Sequence, residues 1–381
     1  MPVYLDHAAT IPMRQEAVEA MQPFFTERFA NPSGGHRMAR DARRAVDEAR
    51  DVVAECLGCR PGEVVFTSGG TEADNLAVFG VHRRRPGPVV CSAIEHHAVL
   101  APVEALGGST LPVDGRGVVE VDAVAEVVTA DTTLVSVMLA NNEVGTVQPI
   151  AEVAEAVRRV ARHAVVHTDA VQGAVWLDVA ETCAGADLVS ISAHKFGGPK
   201  GIGALVVRGD VDVAPLVLGG GQERDRRSGT SNVAGIAGMA AALQVTVDER
   251  KATVDRVEAL RDRLADGILT TVPGAAETGV GRGPDGRQDR SHKVAGSCHL
   301  CFEGVEGESL LFLLEEHEVY ASAAASCASG AMEPSHVLAA MGVPESSASL
   351  RLSLGPTSTD ADVDAALAAI PAVVERLRRP S

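Results

Sequence analysis

The chain reads as an α/β protein in which a large unit built on a mainly parallel sheet is joined to a smaller α+β unit. Three observations predict this. Its 381 residues are about two to three times the length of one ordinary domain. Through the first two thirds, short β-branched runs alternate with amphipathic helical patterns, the rhythm of strand–helix–strand crossovers under a covered sheet. After that the rhythm gives way to a looser mixture of strands and helices. The expected boundaries are 15–250 for the large unit, and 1–14 with 251–381 for the smaller one.

Taken in order, residues 37–57 place Ala39, Ala42, Val46, Ala49, Val53 and Cys56 at three- and four-residue spacing, with Gly58 as a stop. That is an amphipathic helix. Strand-like runs follow at 63–67, 88–93, 133–139, 164–168, 187–192 and 201–207, with helical patterns such as 150–162 between several of them. Residues 233–272 form one long helical pattern, rich in Ala and Gly at first and then laced with charge, which suits a helix passing from one unit to the other. The Gly- and Asp-rich stretch 275–291 lacks periodicity and is expected to be loop. Residues 294–302, 306–317, 335–342, 349–355 and 360–378 then supply the strands and helices of the smaller unit.

Composition excludes several functions. The net charge of -17 argues against direct contact with nucleic acid, which calls for a basic footprint. Aromatic residues make up only 3%, too few for a base-stacking platform. No run approaches the ~20 apolar residues of a membrane span and no basic leader opens the chain, so the expected location is the cytoplasm. Seven scattered cysteines do not form a secreted disulfide framework. The pairs Cys56/Cys59 and Cys298/Cys301 have CxxC spacing, but the first falls at a helix end. On a strand, positions i and i+3 of the second face opposite ways, so no metal site is expected.

The chemistry is expected at the carboxyl ends of the parallel strands. Of only four lysines, Lys195 alone stands between two apolar strand-like runs and before a glycine pair. Burial there lowers an ammonium's pKa toward the neutral amine that a carbonyl cofactor needs. Asp169 ends another apolar run and suits a pyridinium nitrogen as its charged partner. In EVVFTSGGTEADN a strand runs through Ser68, Gly69, Gly70 and Thr71 into a helix, an amide-rich turn suited to phosphate, with Asp74 at capping-box spacing from Thr71. Ser192 and His194 stand close enough to add donors.

These segments resemble the cysteine desulfurases of the class V aminotransferase group. The resemblance runs from YLDHAAT through FANPSGGH, SGGTEADN, EHHAV, NNEVG, DAVQ, SAHKFGGPKG, GGGQERDRRSGTSN and SCASGAMEPSHVL to RLSLG. It implies the fold of type I pyridoxal 5'-phosphate enzymes, with Lys195 carrying the cofactor, Asp169 at the ring nitrogen and Gln172 at the ring hydroxyl. His96 is similar to the histidine that stacks on the ring and moves protons, and Asn142 to a further ring contact. Gly70, Thr71, Ser192 and His194 match the phosphate cradle. Thr230 matches a phosphate ligand given by the neighbouring subunit, implying a homodimer. Asn31 and Arg351 resemble the groups that hold the carboxylate of L-cysteine.

Cys327 lies in a run of Ala and Ser without apolar period, where a thiol can be carried in and out of a site. The resemblance makes it the nucleophile that takes sulfur from L-cysteine, leaving L-alanine, and holds it as a persulfide for an acceptor protein. Iron-sulfur cluster assembly, tRNA thiolation and DNA phosphorothioation are the pathways it suggests. The stop at RLRRPS, without the longer tail of housekeeping members, and the general likeness in length and loop favour the phosphorothioation member. The alternatives are a selenocysteine lyase or aminotransferase of the same fold, or a sulfur-relay scaffold without turnover.

Overall fold

The computed structural model of the chain describes residues 2–284, 286–323, 335–344 and 347–379. Seven strands build the main sheet: β1 (Val64–Thr67), β2 (Val89–Ser92), β3 (Ser109–Leu111), β4 (Leu134–Ser136), β5 (Val165–Asp169), β6 (Leu188–Ser192) and β7 (Gly203–Val207). They lie in the order β1-β7-β6-β5-β4-β2-β3. Five run parallel from β3 to β6, while β7 is antiparallel to both its neighbours.

Because side chains alternate across a strand, each β-branched run feeds two cores. Val90, Val135, Val166, Val189 and Val206 face one way, onto α1 (Arg37–Cys56), α4 (Ile150–Val160) and the first half of α5 (Val233–Thr271). Val89, Leu134, Leu188, Leu205 and Val207 face the other, onto α2 (Gly70–Arg84) and α3 (His97–Ala105). Both faces are dry, so the polar ends of the strands are where the sheet meets solvent.

A third core gathers Val257, Leu260, Leu264 and Ile268 from the second half of α5 with Leu300, Phe302, Leu350 and Leu352. These last four come from an antiparallel sheet of order β10-β9-β8, made of β8 (Ala275–Glu277), β9 (Ser297–Glu303) and β10 (Ser347–Ser353). The 39-residue α5 therefore serves two cores, as its change of character predicts. Val3 and Leu5 join the third core, and Val3–Tyr4 pairs in parallel with Val319–Tyr320.

One expectation fails. The stretch 275–291 is not all loop: β8 pairs with β9 through Leu300 and Glu277, and Gly281–Arg282 pairs with Gln288–Asp289. Strands of two or three residues carry no period of their own, and their pairing partners supply what the local sequence does not.

Candidate active site

Lys195 closes a single 3-10 turn, Ala193–Lys195, directly after β6. Gly197, at φ +85°, turns the chain back in the left-handed region that favours glycine. The Lys195 Nζ donates to the carbonyls of Ala8 and Ala9, at 2.6 and 3.0 Å. Gln172 Nε2 donates to the same Ala8 carbonyl at 2.8 Å. The amino-terminal LDHAAT segment is thus folded across the strand ends, and a cavity of about 20 Å³ is lined by Lys195, Gln172, Asn142 and His7.

Asp169 ends β5 on the strand beside Lys195's own. Its carboxylate accepts from the Val171 N–H at 2.8 Å and is buried. Burial pushes it up to about 6, with the Val171 amide and the Lys195 charge opposing. His96 caps α3, its Nδ1 accepting from the Ala98 N–H at 3.1 Å. Burial and then Lys195, His97 and His336 push it down to about 4, so the imidazole is neutral at pH 7. His194, held to Thr10 Oγ1 at 3.2 Å, is likewise pushed down to about 4 by burial and by Lys195.

The turn before α2 is shaped for an anion. A Cβ on Gly70 would come 2.8 Å from Val171 Cγ2 and 3.5 Å from Ser192 Cβ, so this approach is open only to glycine. Gly69 precedes it at φ +157° and, as the N-cap residue, offers no side-chain cap, leaving the first amides of a 15-residue helix beside Ser192. Thr71, in the first turn of that helix, is exposed. The predicted capping box between Thr71 and Asp74 does not form. Glu72 reaches back to the Ser68 N–H instead, at 2.7 Å, and is paired with Arg227, while Asp74 turns into the core.

Arg351, on β10, donates from Nη1 to the Asn142 carbonyl at 3.0 Å and from Nη2 to Asp6 Oδ1 at 2.7 Å. Its Nε is buried without a hydrogen-bond partner among the described residues, a donor that a ligand could use. The structure therefore brings Lys195, Asp169, His96, His194, Gln172, Asn142, Ser192, Gly70 and Arg351 around the strand ends. It does not join Asn31 to them: that side chain is exposed and accepts locally from the Ser33 N–H at 2.9 Å. Thr230 is exposed, and Cys327 lies outside the described residues.

Sequence reasoning missed three contributors. Asp6 reaches Arg351 across 345 positions of sequence. Glu143 accepts from Ser335 Oγ at 2.5 Å, and His336 bonds the Glu95 carbonyl at 2.9 Å, so the chain that follows Cys327 is pinned to the floor of the site. Their motifs LDHAAT, NNEVG and EPSHVL stand in the sequence, but nothing in them says which side chains meet.

A buried carboxylate beside a lysine at paired strand ends, with an amide-lined turn opposite, fits a phosphorylated pyridine aldehyde. Comparison with known proteins agrees. The pattern of the aminotransferase class-V family matches residues 3–366. An IscS-like cysteine desulfurase of Mycobacterium tuberculosis is 45% identical, over 99% of this chain and 97% of that protein. A solved NifS-like protein superposes with a TM-score of 0.90 at 35% identity, covering 99% of this chain and all of its own. The crystal structure of DndA from Streptomyces lividans is similar at TM-score 0.75 and 35% identity, over 92% of this chain and 99% of that one.

Proposed function

This chain belongs to the aminotransferase class-V family, and from that premise we propose that it holds pyridoxal 5'-phosphate on Lys195 and works as a cysteine desulfurase, converting L-cysteine to L-alanine. The observation that carries the reading is Lys195 at the end of buried β6, with Asp169 buried at the end of neighbouring β5.

When bound, the cofactor supplies an electron sink for the pair left on the substrate Cα as its proton departs. The residues do the rest. Asp169 would keep the ring nitrogen protonated, Gln172 and Asn142 would hold the ring, and neutral His96 would contact it. Gly70, Thr71, Ser192 and His194 hold the phosphate, joined by Thr230 from a second copy of the chain. Arg351, with Asn31, binds the substrate carboxylate through a planar fork. The Lys195 amine would accept the Cα proton. The Cys327 thiolate then attacks the substrate sulfur: an S–S bond forms, the C–S bond breaks and its electron pair leaves with carbon.

Reach supports Cys327. It stands five residues beyond Ser322, whose backbone pairs with Arg351, a span of at most about 18 Å of extended chain. Supporting a homodimer, Phe29 and Leu218 are 65% and 81% exposed, and Phe25, Met38 and Val217 are exposed with them. Residues 15–250 would form the cofactor-binding unit, and 1–14 with 251–381 the unit that carries Cys327 and Arg351. No helix among the described residues is long and apolar enough to cross a membrane, which agrees with a cytoplasmic enzyme. The sulfur passes from Cys327 to an acceptor protein; IscS-like relatives favour iron-sulfur cluster assembly and the likeness to DndA favours DNA phosphorothioation.

Cys327→Ser tests the thiol. The variant should bind the cofactor with unchanged absorbance and release no sulfide from L-cysteine. Sulfide at the parent rate would remove Cys327 from the reaction.

A further inference from the structure

Behind Asp169 the main sheet buries more acid than an interior ordinarily keeps charged. Asp74 from α2, Glu95 after β2 and Asp169 are 1%, 0% and 5% exposed. Ser136, His167 and Ser190 lie beside them on β4, β5 and β6. Register places Ser136 opposite His167 and Ser190 opposite Asp169, while His167 and Asp169, two apart on one strand, share a face. The His167 ring is held at both nitrogens, Nδ1 to Ser136 Oγ at 2.8 Å and Nε2 to Ser190 Oγ at 3.0 Å. The Ser190 hydroxyl also bonds the Asp74 carboxyl group.

One contact is conspicuous for its length. His167 Nε2 stands 3.6 Å from Asp74 Oδ1, too far for a hydrogen bond, and that oxygen has no partner among the described residues. A carboxylate facing an imidazolium in a dry interior would close to a charge-assisted bond of about 2.7–2.9 Å. The gap argues against that ion pair, and an Asp74 Oδ1 buried without a donor among the described residues lacks the hydrogen bond a buried carboxylate oxygen needs, which favours the neutral acid. Electrostatics agree: the titratable groups facing this layer are Glu95, Asp169, His167 and Lys195, and like charges so close cannot all form. Burial, then Asp169, raises Asp74 well above the carboxylate range, and burial raises Glu95 to about 8 and lowers His167 to about 3. Asp169, with the Val171 amide and Lys195 on its side, is where charge settles at lowest cost.

We propose that Asp74 is kept as a neutral carboxylic acid and that Asp74, Ser190 and His167 are positioning residues that leave Asp169 as the charged acid of this layer. The inference rests on the reading of Asp169 as partner of the cofactor's ring nitrogen. It adds a buried hydrogen-bonded chain behind Asp169 that sets how firmly that charge is held.

Infrared difference spectra of the holoenzyme at neutral pH, parent minus Asp74→Asn, read the protonation state directly. Loss of a protonated-carboxyl carbonyl band is expected; loss of a carboxylate band would overturn the proposal. Ser190→Ala tests the chain without changing charge or a large volume. We expect cofactor dissociation to rise about tenfold, the pH titration of the bound cofactor's absorbance to move, and Ser190→Thr to restore both. Unchanged affinity and titration would remove the chain's role. The underlying reading fails separately: if Asp169→Asn leaves that titration untouched, Asp169 is not the ring-nitrogen partner, whatever the state of Asp74.

Discussion

Two clusters of buried charge, one under each sheet, are satisfied to very different degrees. In the smaller sheet Glu277, with no exposed side-chain surface, accepts from Lys293 at 3.1 Å and from Arg290 at 2.8 Å. Lys293 also donates to the Thr278 carbonyl, and Arg290 to Asp266 on α5 at 2.7 Å. Both Glu277 oxygens are used, and the cluster ties α5, β8 and the chain before β9 into one body. Under the main sheet, by contrast, Asp74 Oδ1, Glu95 Oε2 and Thr168 Oγ1 are buried without hydrogen-bond partners among the described residues. Full pairing makes scaffold; unpaired atoms and displaced titrations mark the place where a protein holds groups ready for chemistry.

The comparison can be broken in three ways. The largest effect is expected at Asp169: replacing it by Ala should lower kcat by about 10²–10³ or more while leaving urea stability close to the parent, as for loss of a key electrostatic group. Equal loss of stability and rate would make Asp169 scaffold. Next comes Glu277→Ala, which strands a buried lysine and arginine and should cost about 3–5 kcal/mol in urea unfolding. The rate per folded molecule should hold; a selective loss of rate would move this cluster into the machinery.

The smallest effect is pH dependence, and it samples both regions. His167 under the main sheet and His299 in the smaller one are each pushed down to about 3 by burial. A depressed folded value means stability that is complete above the unfolded pKa, near 6.5, and lost as pH falls toward the folded value. Each buried imidazole should contribute a slope of up to about 1.4 kcal/mol per pH unit below 6.5. Unfolding midpoints measured from pH 7 to 4.5 should fall, and His299→Gln should flatten the curve. A profile unchanged by that substitution would mean that His299 does not titrate as its burial requires.

Six of the seven strands of the main sheet, the long α5 and the positions of Lys195 and Asp169 were legible in the sequence, because each rests on a run whose period or punctuation is local, whereas the three-residue β3 (Ser109–Leu111) carries no such period. What was not legible depends on partners far along the chain. The β8 strand exists only because β9 is there to receive it. The Thr71–Asp74 spacing suggests a cap, yet burial of Asp74 against β5 and β6 overrides it. Asp6 and Arg351 meet only once the amino-terminal segment lies across the strand ends. Polar side chains are the least predictable from local pattern, since the same carboxylate can cap a helix, bind an arginine or hold a proton.

The most direct test of the account is to incubate the holoenzyme with L-cysteine and a thiol reductant and to quantify alanine and sulfide in the same samples. Equal amounts of both, rising together, are the predicted result. Cofactor bound to Lys195 with neither product formed would contradict desulfuration and point to another substrate of the same fold.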